Sequence, residues 1–436
     1  MSGESLPRSV GWLALGSVAT RAVGAVSAIV SARALGVDGR GGLAVVLVLG
    51  MLAGGILPLG LDLWAARTLG GGESIHSVVA LLRRHCALVT LLVIGAGAAA
   101  LLWSDKSPGL IAATVALCIS GAVMTLKLGV LQGCNQMRRY SVAAFASTAI
   151  FVVGIAGLAV TGTASVTSFV LAATAGQTVA AAWPVGRRAV TQSSETAAAT
   201  VGYRRALRFG LPTAAGAVAA MLLYRLDVVL LTWWSDLDSV GLYSVALAVT
   251  EVVWVVPTAA AQALIPRASR GAGSFDTAQL SRLVVVFMVA TSIAVAAAAP
   301  VAIPLLFGED FDGAVAAVPL LTLAAIGVGV WKLIGHDLIA RGNARARLWT
   351  GVAAIVLMVG VDAVLIPAHG LIGAAVGAAV AYLVAAGLVL VAWRAATGGR
   401  IIDALAVRRS DLDDVRRRVR ERGSKRSRKV RGSSAT

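Results

Sequence analysis

Long apolar segments follow one another through the chain from Val10 to Arg394, and most charged residues lie in the short gaps between them. A helix needs about 20 apolar residues to cross a bilayer, and the sequence contains about twelve segments of this kind. Because lipid offers the backbone no hydrogen-bond partners, such segments must be helical. The sequence therefore predicts an all-α polytopic membrane protein with about twelve transmembrane helices.

The sign of the charge alternates from one gap to the next. Every second gap, starting with the first, is short, and together these gaps hold seven acidic and two basic residues: Val37–Gly41, Ser104–Ser107, Thr161–Ser165, Ser235–Ser239, Gly308–Gly313 and Ala368–Gly370. Only Arg40 and Lys106 are basic in these gaps, and arginines crowd into the intervening gaps instead. Since basic residues favour the cytoplasmic side of a membrane, we predict that both termini are cytoplasmic.

A polar stretch near the middle of the chain divides the spans into two blocks of six. ALGVDGRGGLAVV (Ala34–Val46) aligns with WWSDLDSVGLYSV (Trp233–Val245), and both close a long first helix with a short acidic turn. Blocks with an even number of spans form a parallel repeat about an axis along the membrane normal. We therefore predict two six-helix bundles around a central cavity.

These patterns give the following domain organisation. A cytoplasmic N-terminus covers 1–9, the N-terminal six-helix bundle 10–186, a cytoplasmic linker 187–203, the C-terminal six-helix bundle 204–396 and a basic cytoplasmic tail 397–436. Within the tail, Asp403–Arg422 predicts a narrowly amphipathic helix. Anionic lipid headgroups, and no nucleic acid, are the expected partners of such a tail on a membrane face. A topology anchor without further role stays an equal alternative.

Ionisable side chains at membrane depth are costly and usually face a cavity. We predict that four cations line the cavity and bind substrate: Arg21, Lys127, Arg225 and Lys332. Three carboxylates are candidates for ion coupling or for charge pairs: Asp62, Asp227 and Glu251. As an alternative, Arg225 neutralises Asp227 or a carboxylate on another helix. The cations, which come from both halves, favour an anionic substrate such as a phosphate or diphosphate.

The sequence contains no motif typical of an enzyme. It has no Walker-type glycine loop and no pair of metal ligands at helical spacing. We therefore expect no catalytic residues, no metal and no cofactor. Energy for transport would come from an ion gradient, the membrane potential or consumption of the product. Gly373 and Gly377, with the small residues between them, instead predict close helix packing.

Two stretches carry a family likeness: TRAVGAVSAIVSARALGVDGRGG (Thr20–Gly42) and LIPAHGLIGAAVGAAVAY (Leu365–Tyr382). Arg225-Leu-Asp227 and GLYSVA (Gly241–Ala246), which lie between them, fit the same pattern. The chain resembles bacterial polysaccharide-biosynthesis flippases of the multidrug/oligosaccharidyl-lipid/polysaccharide exporter superfamily. The resemblance implies a V-shaped pair of six-helix bundles around a cationic cavity.

The same resemblance implies a function and a location. The substrate would be an undecaprenyl-diphosphate-linked oligosaccharide, moved from the inner to the outer leaflet of the bacterial cytoplasmic (inner) membrane by alternating access. Membrane lipids, and a polysaccharide polymerase or glycosyltransferases, would be the partners. Arg21 matches an arginine of peptidoglycan-precursor flippases, but Ser27 and Ala28 stand where those relatives carry an Arg-Asp pair.

Two other classes of function remain open at this point. A cation-coupled multidrug antiporter would share the architecture and would use Asp62, Asp227 and Glu251 for cationic substrates. A membrane enzyme or a non-transporting assembly scaffold is the third class. The short acidic gaps leave no room for a folded catalytic domain, which argues against an enzyme.

Overall fold

The computed structural model describes residues 6–103, 105–186, 202–254, 257–258 and 277–405. The described residues fold into helices joined by short turns. Most of the expected linker and nearly all of the basic tail, with its expected amphipathic helix, lie outside the described residues. The domain boundaries given above stay a prediction.

The N-terminal half contains six helices: α1 (Leu6–Ile56), α2 (Leu61–Gly70), α3 (Ile75–Trp103), α4 (Pro108–Gly133), α5 (Met137–Val160) and α6 (Val166–Ala182). Helix α1 contains two spans, because Gly36 adopts a left-handed φ of 68° and reverses the chain there. Such a φ suits glycine, which lacks a Cβ. Helix α2 continues the second span after a break at residues 57–60.

The C-terminal half contains α7 (Tyr203–Trp234), α8 (Leu237–Thr250), α9 (Thr277–Phe307), α10 (Val318–Ala340), α11 (Ala344–Thr397) and the short α12 (Ile401–Leu405). Two 3₁₀ segments, Glu251–Trp254 and Glu309–Ala317, follow α8 and α9. Helix α11 again contains two spans, separated at Gly370, where φ is 50°. Both expected turns are therefore tighter than the sequence suggested, since a single glycine makes each reversal.

The number of spans agrees with the sequence. Nine helices of the described residues are long and apolar enough to cross a membrane. The kinked helices α1 and α11 each supply two spans, and the shorter apolar α6 supplies one more, which brings the count to twelve. The prediction of an all-α polytopic membrane protein is confirmed.

The acidic gaps gather at one end of the molecule, which we call the acidic end, and the opposite end is the basic end. Contacts between gaps show this gathering: Gly42 lies beside Val166, Gly109 beside Thr167, Gly313 beside Leu242, and Gly370 beside Ser235. This grouping is what an up-and-down arrangement of the spans requires. Which end faces the cytoplasm stays a prediction from the positive-inside rule.

The two halves meet at the acidic end through a reciprocal contact between glycines and carbonyl groups. A side chain at Gly41 would collide with the carbonyl oxygen of Leu237, and one at Gly241 would collide with that of Val37. Small residues allow helix backbones to approach this closely. Arg33 adds a second link, because its guanidinium donates to the carbonyl oxygens of Leu305 and Leu306 at 2.5 and 2.8 Å.

The two reciprocal glycine contacts shift the sequence alignment of the two halves by one residue in the second span. The sequence alignment places Gly241 opposite Gly42, whereas the contact makes Gly41 its counterpart. The reason is the length of the turn before each second span. A single residue, Gly36, makes the first turn, whereas Ser235 and Asp236 make the second.

The close packing expected at Gly373 and Gly377, at the start of the second span of α11, is also present. A Cβ at Gly373 would meet the backbone at Leu365, and one at Gly377 would overlap the carboxylate of Asp362. The two spans of α11 therefore pack with backbones nearly in contact, as the small-residue pattern predicted.

Candidate functional site

A cavity of about 470 Å³ lies between the two halves, next to their junction at the acidic end. Its walls come from both spans of α1 and from α7, α8 and the Glu251–Trp254 turn. Most of the lining is small and apolar, and four side chains in it are charged: Arg21, Arg40, Arg225 and Glu251. Its size falls within the usual range of ligand sites, about 300–1,000 Å³.

The N-terminal half contributes Arg21 and Arg40. Arg21 lies on the first span and is half-buried. Arg40 lies in the first turn of the second span, where its Nη1 donates a hydrogen bond of 3.0 Å to Ser31 Oγ. No described carboxylate lies within ion-pair distance of either guanidinium. Both arginines are therefore available to an anion in the cavity.

The sequence interpretation missed Arg40, which it placed in an outward-facing gap. The structure continues the helix from residue 37 onwards, so Arg40 shares a face with Ala44, Leu47 and Met51, which also line the cavity. The spacing of these residues, at four, seven and eleven positions after Arg40, was a signal in the sequence for this shared face.

The C-terminal half contributes an ion pair. Arg225 Nη2 lies 2.5 Å from Glu251 Oε1, and the two side chains are 23% and 31% exposed. Arg225 is on α7, whereas Glu251 opens the 3₁₀ turn after α8. Of the two partners considered from sequence, Arg225 therefore pairs with the carboxylate on another helix. Both residues line the cavity, and substrate binding by Arg225 stays a prediction.

The charges of the cavity do not cancel. Three guanidinium groups face a single carboxylate, and that carboxylate is already paired. The low-dielectric walls of a membrane protein strengthen such a field. The arrangement attracts an anion, and the planar guanidinium groups can bind the oxygens of a phosphate in a bidentate manner.

Lys332 lies close to this cavity but is not among the residues that line it. Its ammonium group sits 4.4 Å from the ring centroid of Tyr224 and 4.5 Å from that of Trp254. The residue is 9% exposed. The face of an aromatic ring attracts a cation, so these two rings form a box that holds the ammonium group.

Asp227 is fully buried in the C-terminal half and also lies outside the cavity lining. Its carboxylate accepts hydrogen bonds from Tyr243 Oη at 2.5 Å and from the Val228 amide at 2.8 Å. Asp362, equally buried, interacts with it electrostatically and has no hydrogen-bond partner among the described residues. A buried carboxylate is stable only when a proton or a cation neutralises it, so this pair is a candidate for ion coupling.

The structure does not bring Asp62 and Lys127 into this cavity. Both are half-buried, on neighbouring helices of the N-terminal half. The backbone of Asp62 packs against Gly129 of α4, two residues after Lys127. Their expected roles, in substrate binding for Lys127 and in ion coupling for Asp62, stay predictions.

Comparison with known proteins places the fold among membrane transporters. The lipid II flippase MurJ, in an inward closed conformation, matches with a TM-score of 0.70 and 12% identity over 87% of each chain. An inward-facing multidrug resistance MATE family transporter of the MOP superfamily matches with a TM-score of 0.64 and 16% identity over 87% of this chain and 96% of that chain. The eukaryotic MATE transporter AtDTX14 matches with a TM-score of 0.59 and 16% identity over 89% of this chain and 97% of that chain. At these identities the similarity shows the fold alone.

No curated protein matches the chain. A family model described as "Polysaccharide biosynthesis protein" matches residues 6–272. Together with the spans, these similarities make the chain a multi-pass membrane protein whose fold is similar to that of the MurJ flippase and the MATE transporters. Because the matched region covers more than half of the sequence, the chain belongs to the polysaccharide biosynthesis protein family.

Proposed function

We propose that this protein translocates a polyprenyl-diphosphate-linked oligosaccharide, of the undecaprenyl type, from the inner to the outer leaflet of a bacterial cytoplasmic membrane. The observation that carries the proposal is the cavity between the halves, where three arginines outnumber one paired carboxylate. Each phosphate of a diphosphate diester carries one negative charge. The diphosphate would therefore balance the excess positive charge of the cavity.

The geometry suggests how the cycle would work. With the positive-inside orientation, the contacts of Gly41 and Gly241 close the cavity towards the outside. The headgroup would enter from the cytoplasmic side and bind Arg21, Arg40 and Arg225 while its lipid tail stays in the membrane. Opening of the junction at the acidic end would then release it to the outer leaflet.

The antiporter alternative needs a carboxylate that can receive a cation in the cavity. The only carboxylate among the described lining residues is Glu251, which already pairs with Arg225. Asp227 and Asp62 lie elsewhere. The cavity therefore favours anionic over cationic substrates.

Deletion of the gene in its host tests the proposal. Lipid-linked sugar repeats should accumulate in the cytoplasmic leaflet, and a plasmid copy of the wild-type gene should clear them. Normal surface glycans without accumulation, in a strain that has no second flippase gene, would contradict the proposal. Ethidium efflux that depends on this chain in a pump-deficient host would support the antiporter instead.

A further inference from the structure

The ion pair at the cavity wall and the aromatic box around Lys332 share the same two elements. Tyr224 and Arg225 are consecutive residues of α7. Glu251 and Trp254 are the first and last residues of the 3₁₀ turn after α8. A movement of Glu251 relative to Arg225 therefore also moves one wall of the box relative to the other.

Lys332 has a less favourable environment than Arg225 in this conformation. Its ammonium group is held by the faces of Tyr224 and Trp254, and no described carboxylate lies within ion-pair distance of it. Aromatic faces compensate only part of the free energy that an ammonium group loses when it leaves water. Glu251, Arg225 and Arg21 all interact with Lys332 electrostatically. Glu251 is therefore the carboxylate that acts on both cations, and it is bonded to only one of them.

An anionic headgroup in the cavity changes this balance. To bind Arg225 it must approach the carboxylate that Arg225 already holds, and the two negative charges repel each other. Unless Glu251 can find another cation, binding leaves a carboxylate unpaired in a site of low dielectric. Lys332 can supply that cation without entering the cavity lining.

We propose that Lys332 is a positioning residue, which receives the carboxylate of Glu251 when an anionic headgroup takes its place on Arg225. The inference rests on the proposed function, because it requires a diphosphate in the cavity. The exchange keeps the Glu251 carboxylate paired with a cation in both the empty and the loaded cavity. It also links headgroup binding to a movement of the Glu251–Trp254 turn, which closes one side of the box.

A double-mutant cycle on the full-length protein in nanodiscs tests the exchange, with farnesyl diphosphate as the probe. Lys332→Met should weaken binding by about tenfold, because Glu251 then stays on Arg225. Glu251→Gln should strengthen binding, because it frees Arg225. In the Glu251→Gln background, Lys332→Met should change the affinity by less than about twofold, since the carboxylate to be received is gone.

Several results would overturn the inference. Equal weakening by Lys332→Met in both backgrounds would mean that Lys332 contacts the headgroup itself or acts through its general field. Unchanged affinity of Lys332→Met, or no increase in affinity in Glu251→Gln, would exclude the exchange as well. If wild-type protein does not bind farnesyl diphosphate, the proposed function itself fails.

Two controls keep the result interpretable. Arg345→Met removes an exposed cation of the same half, at the start of α11 and outside the cavity lining, and should leave the affinity within about twofold of wild type. An equal loss in this variant would overturn the inference. Lys332→Gln replaces Lys332→Met if the latter does not give monodisperse protein, and the same non-additivity with Glu251→Gln is expected.

Discussion

The two halves of the molecule hold their membrane-depth cations in different ways. In the N-terminal half, Arg21 and Arg40 line the cavity without a carboxylate within ion-pair distance among the described residues. In the C-terminal half, Arg225 is paired with Glu251, and Lys332 is enclosed by two aromatic rings. The first half therefore depends on an external anion to balance its charge, whereas the second carries its own compensation.

This difference has consequences for mutation. Removing a cation that no protein group has paired leaves nothing unsatisfied, so it should affect binding and spare the fold. Removing a cation from an internal pair breaks that pair in a site of low dielectric, which is unfavourable. The four predictions below test this contrast and the points at which the two halves are alike.

Arg225→Ala should have the largest effect, because it removes both a binding group and the partner of Glu251. We expect transport to be lost and the free energy of unfolding to fall by about 1–3 kcal/mol. Fluorescence-detected size exclusion and thermal melting of the purified protein measure the second effect. The double variant Arg225→Ala/Glu251→Ala should recover the amount of folded protein without recovering transport. If the double variant is as unstable as the single one, the ion pair is not the source of the loss.

Arg21→Ala should abolish transport while the amount of protein in the membrane stays unchanged. Arg21→Lys should be partly active, because a lysine supplies the charge without the bidentate geometry. Accumulation of lipid-linked sugars and an immunoblot of the membrane fraction give the two readouts. Poor expression of Arg21→Ala would instead indicate that Arg21 belongs to an internal charge pair. Wild-type transport by well-expressed Arg21→Ala would contradict both roles.

Gly41→Ala and Gly241→Ala should have similar effects, because the two glycines make the same contact from opposite halves. In each case a methyl group must fit against a carbonyl oxygen. We expect this overpacking to lower the free energy of unfolding by about 1–3 kcal/mol. Thermal melting measures the loss. Gly157→Ala is the matched control, since nothing lies within 4 Å of a Cβ at that position. A loss in only one of the two variants would break the symmetry that we assign to the junction.

Asp236→Ala should have the smallest effect, a loss of about 1 kcal/mol. The Asp236 carboxylate caps α8 by accepting a hydrogen bond of 2.7 Å from the Ser239 amide, whereas the equivalent turn in the N-terminal half is made by Gly36. The same hydrogen bond lowers the pKa of Asp236. The cap is therefore complete above the unfolded-state pKa of about 3.9 and is lost as the pH falls through the lower folded-state pKa.

Melting curves at two pH values test this cap, with Asp105→Ala as the control, because Asp105 is exposed at the same end of the molecule. The difference in melting temperature between Asp236→Ala and wild type should disappear at a pH below the folded-state pKa of Asp236. A difference that persists there would show that the side chain acts through packing and not through its charge.

Much of the architecture could be predicted from the sequence, because the bilayer imposes a simple rule on it. Apolar length gives the spans, and small residues such as Gly373 and Gly377 give the close contacts. Arg21 and Arg225 could be assigned to a cavity for the same reason, since a cation at membrane depth requires compensation. Each of these inferences depends on one residue and its depth in the membrane.

Relations between helices were beyond the reach of the sequence. Arg40 was placed outside the cavity because the length of the first turn was overestimated, and Gly36 alone makes that turn. Asp227 could have lined the cavity by its depth, but its direction on α7 takes it to Tyr243 instead. Lys332 has the depth of a substrate ligand and yet lies between two rings.

The sequence by itself therefore determined how many times the chain crosses the membrane and which of its charges lie at membrane depth. Hydrophobic length and charge are local properties, and the bilayer acts on each segment separately. The tertiary structure alone decided which cations are free, which are paired and which are enclosed. The reason is that a charge at depth responds to whatever lies within a few ångströms, and those neighbours come from helices far apart in the chain.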